Sequence, residues 1–417
     1  MSHREVAHRM IPYVGKGRRL APDQSGSLIA PGVVARARRR AVRLTVVLLP
    51  IALAMAVATL VLAEAALRVV PGLMPAHAAN RARLFQDLAA VRTLPHREIG
   101  FLYPPRAKLT MRHQDAAFSF RTDSRGFRNA GPWPKRADVV ALGDSVTFGF
   151  GVPHDQSWVA RAASMLGTTS VNLALPGFGP LQHLRVYEAF GAALHPRLVL
   201  VGFFPANDFW DTGKFLKWLT LPERGDYMLW RDFGVNESGG RSAVEKVVKS
   251  SYLASLVWAV ATARSEVYGR GAIVHDTPGG RLLLVPGAVQ QMADAAAPDR
   301  PEFVEVFRAL KRLDERVRAD GGELVVVLVP SKEHVYLPLR GMMPDDPLAH
   351  VYRALDELGT SSLDLTPHFR ARAAAGEQLF FEMDGHPNAR GNELTADVVV
   401  DYLRRRGTAV GRTGRTP

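Results

Sequence analysis

The stretch DVVALGDSVTFGFGV, residues 138–152, ends an apolar run at Gly143 and then presents Asp144 and Ser145 among small residues. A serine hydroxyl is a weak nucleophile until a base takes its proton and a third group orients that base. EMDGHPN, residues 382–388, supplies both in the form of His386 and Asp384. A tetrahedral acyl-transfer intermediate also needs preorganised donors. Ser145 and Gly177 (in LPGFGP, 175–180) can offer backbone N–H groups, and Asn207 (in PANDF, 205–209) can offer its amide NH₂. Glycine at 177 keeps a Cβ from obstructing the approach of a substrate. The expected chemistry is an acyl-enzyme on Ser145, with His386 as base and then acid, Asp384 as its orienter, and an oxyanion hole of Ser145, Gly177 and Asn207. Each residue alone has a plainer reading. Ser145 and Gly177 suit turns, Asn207 suits the close of a strand, and His386 suits a helix start with Asn388 as N-cap.

What decides between these readings is where the elements put the residues. Apolar runs at 138–143, 170–175, 197–204, 323–330 and 361–365 read as strands, and helical spacing recurs at 156–166, 180–194, 302–319, 347–358 and 388–404. Strands alternating with helices imply a parallel α/β sheet covered on both faces. In such sheets chemistry gathers beyond the C-terminal strand ends, and the strand ends are where Ser145, Gly177, Asn207 and His386 lie. Residues 211–300 break the rhythm and read as an insertion with one helix near 243–266. Residues 68–132 read as a stalk or leading segment, and 133–403 as the α/β domain.

GDSVTFG, NLALPGFG, PANDF and DGHPNARG, in this order, resemble the four blocks of the SGNH (GDSL) hydrolase superfamily, over roughly residues 120 to 404. TDSRGFRN (122–129) and VPSKEHVYLP (329–338) resemble its membrane-anchored, extracytoplasmic branch. The resemblance implies a flavodoxin-like three-layer α/β/α fold and ester hydrolysis or acyl transfer, with no metal or organic cofactor. Two positions depart from the pattern. The family's acid stands three residues before its histidine, where this chain has Met383, and Asp384 stands two before. Pro205 and Ala206 precede Asn207 where the family has a glycine-x pair. Trp210, Lys332 and His334 are candidate substrate-binding residues, with burial the default for Trp210 and a solvated rim the plainer reading of Lys332. His154, His183 and His195 fit no metal-ligand spacing. Asp144 and Asp208 are candidates for holding their turns.

The formal charge of +13 lies in the tails. Residues 1–44 carry +8, residues 404–417 carry +5, and the body between them is neutral. A phosphate-binding groove needs its excess on the folded body, so no nucleic-acid partner is expected. With no cysteine there is no disulfide, thiolate metal site or cysteine nucleophile. Residues 44–63 carry no charge and, at about 1.5 Å per residue, span roughly 30 Å, the thickness of a bilayer core. RARRRAVR (36–43) precedes them, so the positive-inside rule keeps the N-terminus in the cytoplasm. The expectation is a signal-anchor over 44–67, a disordered basic tail over 1–43, and a catalytic domain outside the cytoplasmic membrane. Cleavage after AEA (63–65) is the alternative. The expected substrate is an O-acyl, chiefly O-acetyl, ester of a cell-surface glycan or lipid-linked sugar. An O-acyltransferase working with a membrane-bound acyltransferase partner, and a non-catalytic glycan-binding relative, are the rival readings.

Overall fold

The structure is a computed structural model that describes residues 31–75, 78–80, 82–83, 93–233, 251–262, 271–343 and 346–407. It forms two compact units, 1–62 and 63–417. One helix, Pro31–Val69, starts in the first unit and ends in the second. Its segment Arg38–Val69 is long and apolar enough to cross a membrane. Residues 31–43, expected to be disordered, are helical, and Pro50 is accommodated inside the helix.

In the second unit two antiparallel pairs come first: β1 (Leu94–His96) with β2 (Gly100–Leu102), and β3 (Lys108–His113) with β4 (Ala116–Arg121). The parallel sheet starts with β5 (Val139–Gly143), β6 (Ser170–Asn172) and β7 (Leu198–Phe203). A third antiparallel pair, β8 (Ile273–Thr277) and β9 (Gly280–Leu284), intervenes before β10 (Glu323–Leu328) and β11 (Ser361–Asp364). The parallel strands lie in the order β11-β10-β7-β5-β6. Numbered by their own sequence this is 2-1-3-4-5, the flavodoxin-like order, with its switch point between β5 and β7. Nearly every residue of β5, β7 and β10 is buried, as a sheet covered on both faces requires.

The helices fall into two groups. Trp158–Leu166 packs on Ala389–Arg405, while Pro301–Ala319 packs on Pro180–Val186, Asp208–Leu219 and Ala349–Leu358. Right-handed crossovers running outward from β5 in opposite directions place these groups on opposite faces. The last helix starts where its sequence says it should: the Asn388 side chain accepts the N–H groups of Arg390 and Gly391.

Of the stretch 68–132, read as a stalk or leading segment, residues 93–132 fold onto the sheet. Ile99, Phe101, Tyr103, Phe118, Phe120 and Phe127 are buried in the same core as the sheet. The reason is visible in β4, where buried and exposed residues alternate strictly, a pattern that needs an apolar surface to lie on. The stretch expected as an insertion holds helices Asp208–Leu219, Tyr227–Phe233, Tyr252–Thr262 and Pro286–Ala295 besides the β8–β9 pair. Of the helix expected near 243–266, residues 251–262 are described, and the remainder lies outside the described residues.

Candidate active site

Ser145 opens a single helical turn, Ser145–Phe148, directly after β5. Asp144 caps that turn, its Oδ1 accepting the Val146 N–H at 2.8 Å. Gly143 has φ +153°, and a Cβ there would meet Thr147 Oγ1 at 2.2 Å, so the strand can enter the turn only through glycine. Behind the turn lies the buried guanidinium of Arg128. It donates to the carbonyls of Phe148 (3.0 Å), Gly149 (2.5 Å) and Val152 (2.6 Å), and it faces the rings of Phe118, Phe120 and Phe148. Burial lowers its pKa to about 10, which leaves it charged at neutral pH. Asn129 exchanges hydrogen bonds with the backbone of Asn172, whose own amide donates to Thr147 O at 2.8 Å. Asp123 closes the loop by accepting from Arg125 N, Phe127 N and Asn129 Nδ2. TDSRGFRN is therefore the scaffold of the Ser145 turn.

His386 meets this turn. Its Nε2 lies 2.8 Å from Ser145 Oγ, its Nδ1 lies 2.5 Å from Asp384 Oδ1, and its ring stacks on Phe150 at 4.4 Å. The two-residue spacing that departs from the family pattern has a local cause. Asp384 Oδ1 also accepts the His386 backbone N–H at 2.8 Å, an Asx turn that an acid two residues upstream can close. Burial opposes charge on His386, but the Asp384 carboxylate, with Asp144 adding to it, raises the imidazole above its ordinary value. Burial likewise acts to raise Asp384, yet the His386 charge and the hydrogen bonds from His113 and His386 hold it far below the usual carboxylate range. The Asp384 carboxylate and the His386 imidazole thus each favour the charged form of the other.

Asn207 stands at the start of helix Asp208–Leu219, and its Nδ2 donates to Asp144 Oδ2 at 3.0 Å. This ties the turn after β7 to the turn after β5, across the switch point. Gly177 has φ +70°, and a Cβ on it would fall 1.4 Å from Arg231 Nη1. The guanidinium of Arg231 fills that space and donates to Pro176 O at 2.8 Å. Asp208, fully buried, accepts the Phe204 N–H at 2.7 Å. Burial, reinforced by the nearby Asp144 charge, raises its carboxyl well above the ordinary value, and its bond to Phe204 N braces the Asn207 loop.

The remaining candidates separate. Trp210 is 59% exposed, with Lys214 over its ring at 5.6 Å. Lys332 is not on a solvated rim. It is buried, and its ammonium donates to the carbonyls of Glu382 (3.1 Å), Met383 (3.0 Å) and Asp384 (3.3 Å). His334 is buried with its Nε2 on Asp346 at 3.1 Å, and it does not join the Ser145 line. His183, expected outside any metal motif, is a core residue bonded to Phe178 O, its pKa lowered to about 3 by burial. Sequence reasoning missed His113 and Asp115 in the β3–β4 turn. His113 Nδ1 lies 2.7 Å from Asp384 Oδ2, and Asp115 accepts the N–H groups of Met383 and Asp384. No spacing links residues 271 positions apart. The only available clue was the alternation that marks AAFSFR as a strand needing a partner.

With this geometry in place, comparison with known proteins adds a family. Residues 290–416 match the family model described as the SGNH hydrolase-like domain of acetyltransferase AlgX. Over those residues the chain is similar to that SGNH hydrolase-like domain. The matched segment holds β10, β11, Asp384 and His386, while the Ser145 half of the site precedes it. Solved structures similar to the chain include TesA, at 15% identity and TM-score 0.34, covering 64% of this chain and 98% of that one. The acetyl xylan esterase AlAXEase is 11% identical at TM-score 0.35 over 64% and 98% of the two chains. A carbohydrate esterase family 2 enzyme with a carbohydrate binding domain, from Corynascus thermopiles, is 12% identical at TM-score 0.34 over 70% and 71%. No curated protein matches the sequence.

Proposed function

We propose that this protein is a serine-dependent esterase whose SGNH-like domain removes O-acyl, chiefly O-acetyl, groups from an extracytoplasmic glycan or glycolipid. One observation carries the reading: the continuous line of hydrogen bonds from Ser145 Oγ through His386 to Asp384. In the proposed mechanism His386 takes the Ser145 proton as the oxygen attacks the ester carbonyl, and Asp384 steadies the imidazolium. The N–H groups of Ser145 and Gly177 and the Asn207 amide receive the oxyanion. His386 then returns its proton to the leaving sugar oxygen, and water repeats the sequence on the acyl-enzyme to release the acid. The helix Pro31–Val69 and its arginine cluster support an anchored protein with the domain outside the cytoplasmic membrane.

A second reading replaces water with a glycan hydroxyl. It is favoured by the acetyltransferase named in the description of the matching family. Both readings share the acyl-enzyme and part at its resolution. The test uses the full chain in detergent, a fluorophosphonate probe, and a chromogenic acetyl ester with and without glycan acceptor. The proposal expects labelling and turnover that vanish in Ser145→Ala. Turnover that depends on acceptor, with the acetyl group recovered on the sugar, selects the transferase. Folded wild-type protein that neither labels nor turns over overturns both.

A further inference from the structure

The Asp384 carboxylate has two oxygens, and the reaction as written uses only one. Oδ1 serves the ring and the backbone N–H of His386. Oδ2 receives Nδ1 of His113, at 2.7 Å, from the turn of the β3–β4 hairpin. The same turn presents Asp115, whose carboxylate accepts the N–H of Asp384 at 2.7 Å and of Met383 at 3.1 Å. Between them Gln114 has φ +47°, a left-handed backbone that a side-chain-bearing residue adopts only when its surroundings demand it. The hairpin is also locked in place, since Phe118 and Phe120 pack on Phe148 and Phe150 next to Ser145. One rigid element therefore touches both the nucleophile turn and the acid.

From this we infer that His113 is a positioning residue, the fourth member of the line Ser145–His386–Asp384–His113. It fixes the plane of the Asp384 carboxylate by donating Nδ1–H to Oδ2. The inference rests on the esterase reading and deepens it. Asp384 is wholly buried, whereas the His113 side chain is about half exposed, so Oδ2 has lost water and gained an imidazole. An unmet carboxylate oxygen in such a place would turn toward another donor and carry Oδ1 away from His386. The Asx turn holds the Asp384 carboxylate through Oδ1, and His113 holds it through Oδ2, so the two contacts together fix its plane. The charged groups facing this end of the line are Asp115 from the same turn, His386, and Lys332 with Glu382 across the 382–384 loop.

The test compares His113→Ala with His113→Asn in the full chain. Asn keeps a donor near the Nδ1 position. His113→Ala is expected to lower kcat about 10- to 100-fold with little change in KM for a small acetyl ester. His113→Asn is expected to recover most of that loss, and the acid limb of the kcat profile is expected to shift in the Ala variant. A second readout works without turnover. The low-field N–H resonance of the His386 ring, assigned by its loss in His386→Ala, should broaden or move in His113→Ala and return in His113→Asn. A His113→Ala protein with wild-type kcat, pH profile and resonance overturns the inference while leaving the esterase reading intact. So does a His113→Asn protein as impaired as His113→Ala. A wild type without activity defeats the esterase reading, and the resonance still decides whether His113 positions the pair.

Discussion

The two halves of the site are held in opposite ways. The Ser145 turn is fixed by neighbours in sequence: Arg128 and Asn172 flank β5 and reach the turn across 20 and 25 residues, and Asn129 holds Asn172 in place. The Asp384–His386 loop makes an Asx turn of its own but is otherwise clamped by distant segments, Lys332 from after β10 and His113 and Asp115 from a hairpin 271 and 269 residues away. Ser145 is buried with its turn in the core, so disturbing its supports should unfold the region. The base loop lies at the surface end of the sheet, so disturbing its clamps should misplace a proton acceptor in a protein that still folds. Stability and activity thus divide between the halves.

The largest effect breaks both halves equally. Ser145→Ala and His386→Ala each remove a reacting atom and are expected to lower kcat by roughly 10⁴- to 10⁶-fold, with fluorophosphonate labelling lost in Ser145→Ala. Circular dichroism melts of the two variants should match the wild type, because neither side chain holds the core. Asp384→Asn comes next, at about 10³- to 10⁴-fold in kcat, since the amide keeps the volume but no longer fixes the His386 tautomer.

The contrast between the halves is sharpest in a pair of cation replacements. Arg128→Met strips three hydrogen bonds from the carbonyls behind Ser145. Bonds to charged donors contribute about 1.5–3 kcal/mol each, so the expected result is a loss of several kcal/mol in chemical denaturation. Lys332→Met strips three carbonyls of the 382–384 loop from their ammonium. Its expected signature is a 10- to 100-fold fall in kcat with a smaller loss of stability. If Arg128→Met proves stable and inactive while Lys332→Met unfolds, the division of labour is reversed. The pH profile tests the base half without a substitution. His386 must be neutral to accept the Ser145 proton, and Asp384 raises its pKa, so activity should fall as pH falls, with a midpoint above the ordinary histidine value of about 6.5. A midpoint below 6.5 in kcat/KM would mean that burial outweighs the Asp384 charge.

The same division explains what the sequence could show. The parallel strands and their helices were legible to within a few residues, because buried strands are continuous apolar runs and the helices between them keep their spacing. Ser145, Asn207 and His386 stand at strand ends in the sequence, and topology sends those ends to one edge. The hairpins of 93–121 were not legible, since four short strands between polar turns resemble a linker until the surface beneath them is known. Lys332 looked like a rim residue because lysine is rarely buried, and only the three carbonyls of the 382–384 loop explain its place. His113 had no local pattern at all, for its partner is set by the tertiary fold.

The smallest expected effect lies outside both halves, at Trp210. Its ring is 59% exposed at the first turn of the helix that starts at Asn207, where core packing does not require an indole. A small acetyl ester is too short to reach it, so Trp210→Ala should leave kcat and KM on that substrate near wild type. An acetylated oligosaccharide extends past the ester and can lay a sugar face on the ring. A stacking contact of about 1 kcal/mol corresponds to roughly a fivefold rise in KM for the oligosaccharide. Lys214 lies over the same ring at 5.6 Å and must yield for a sugar to stack, which keeps the expected effect small. Trp210→Phe, which retains an aromatic face, should recover part of the loss. Equal KM values for Trp210→Ala and wild type on the oligosaccharide would remove Trp210 from the substrate path.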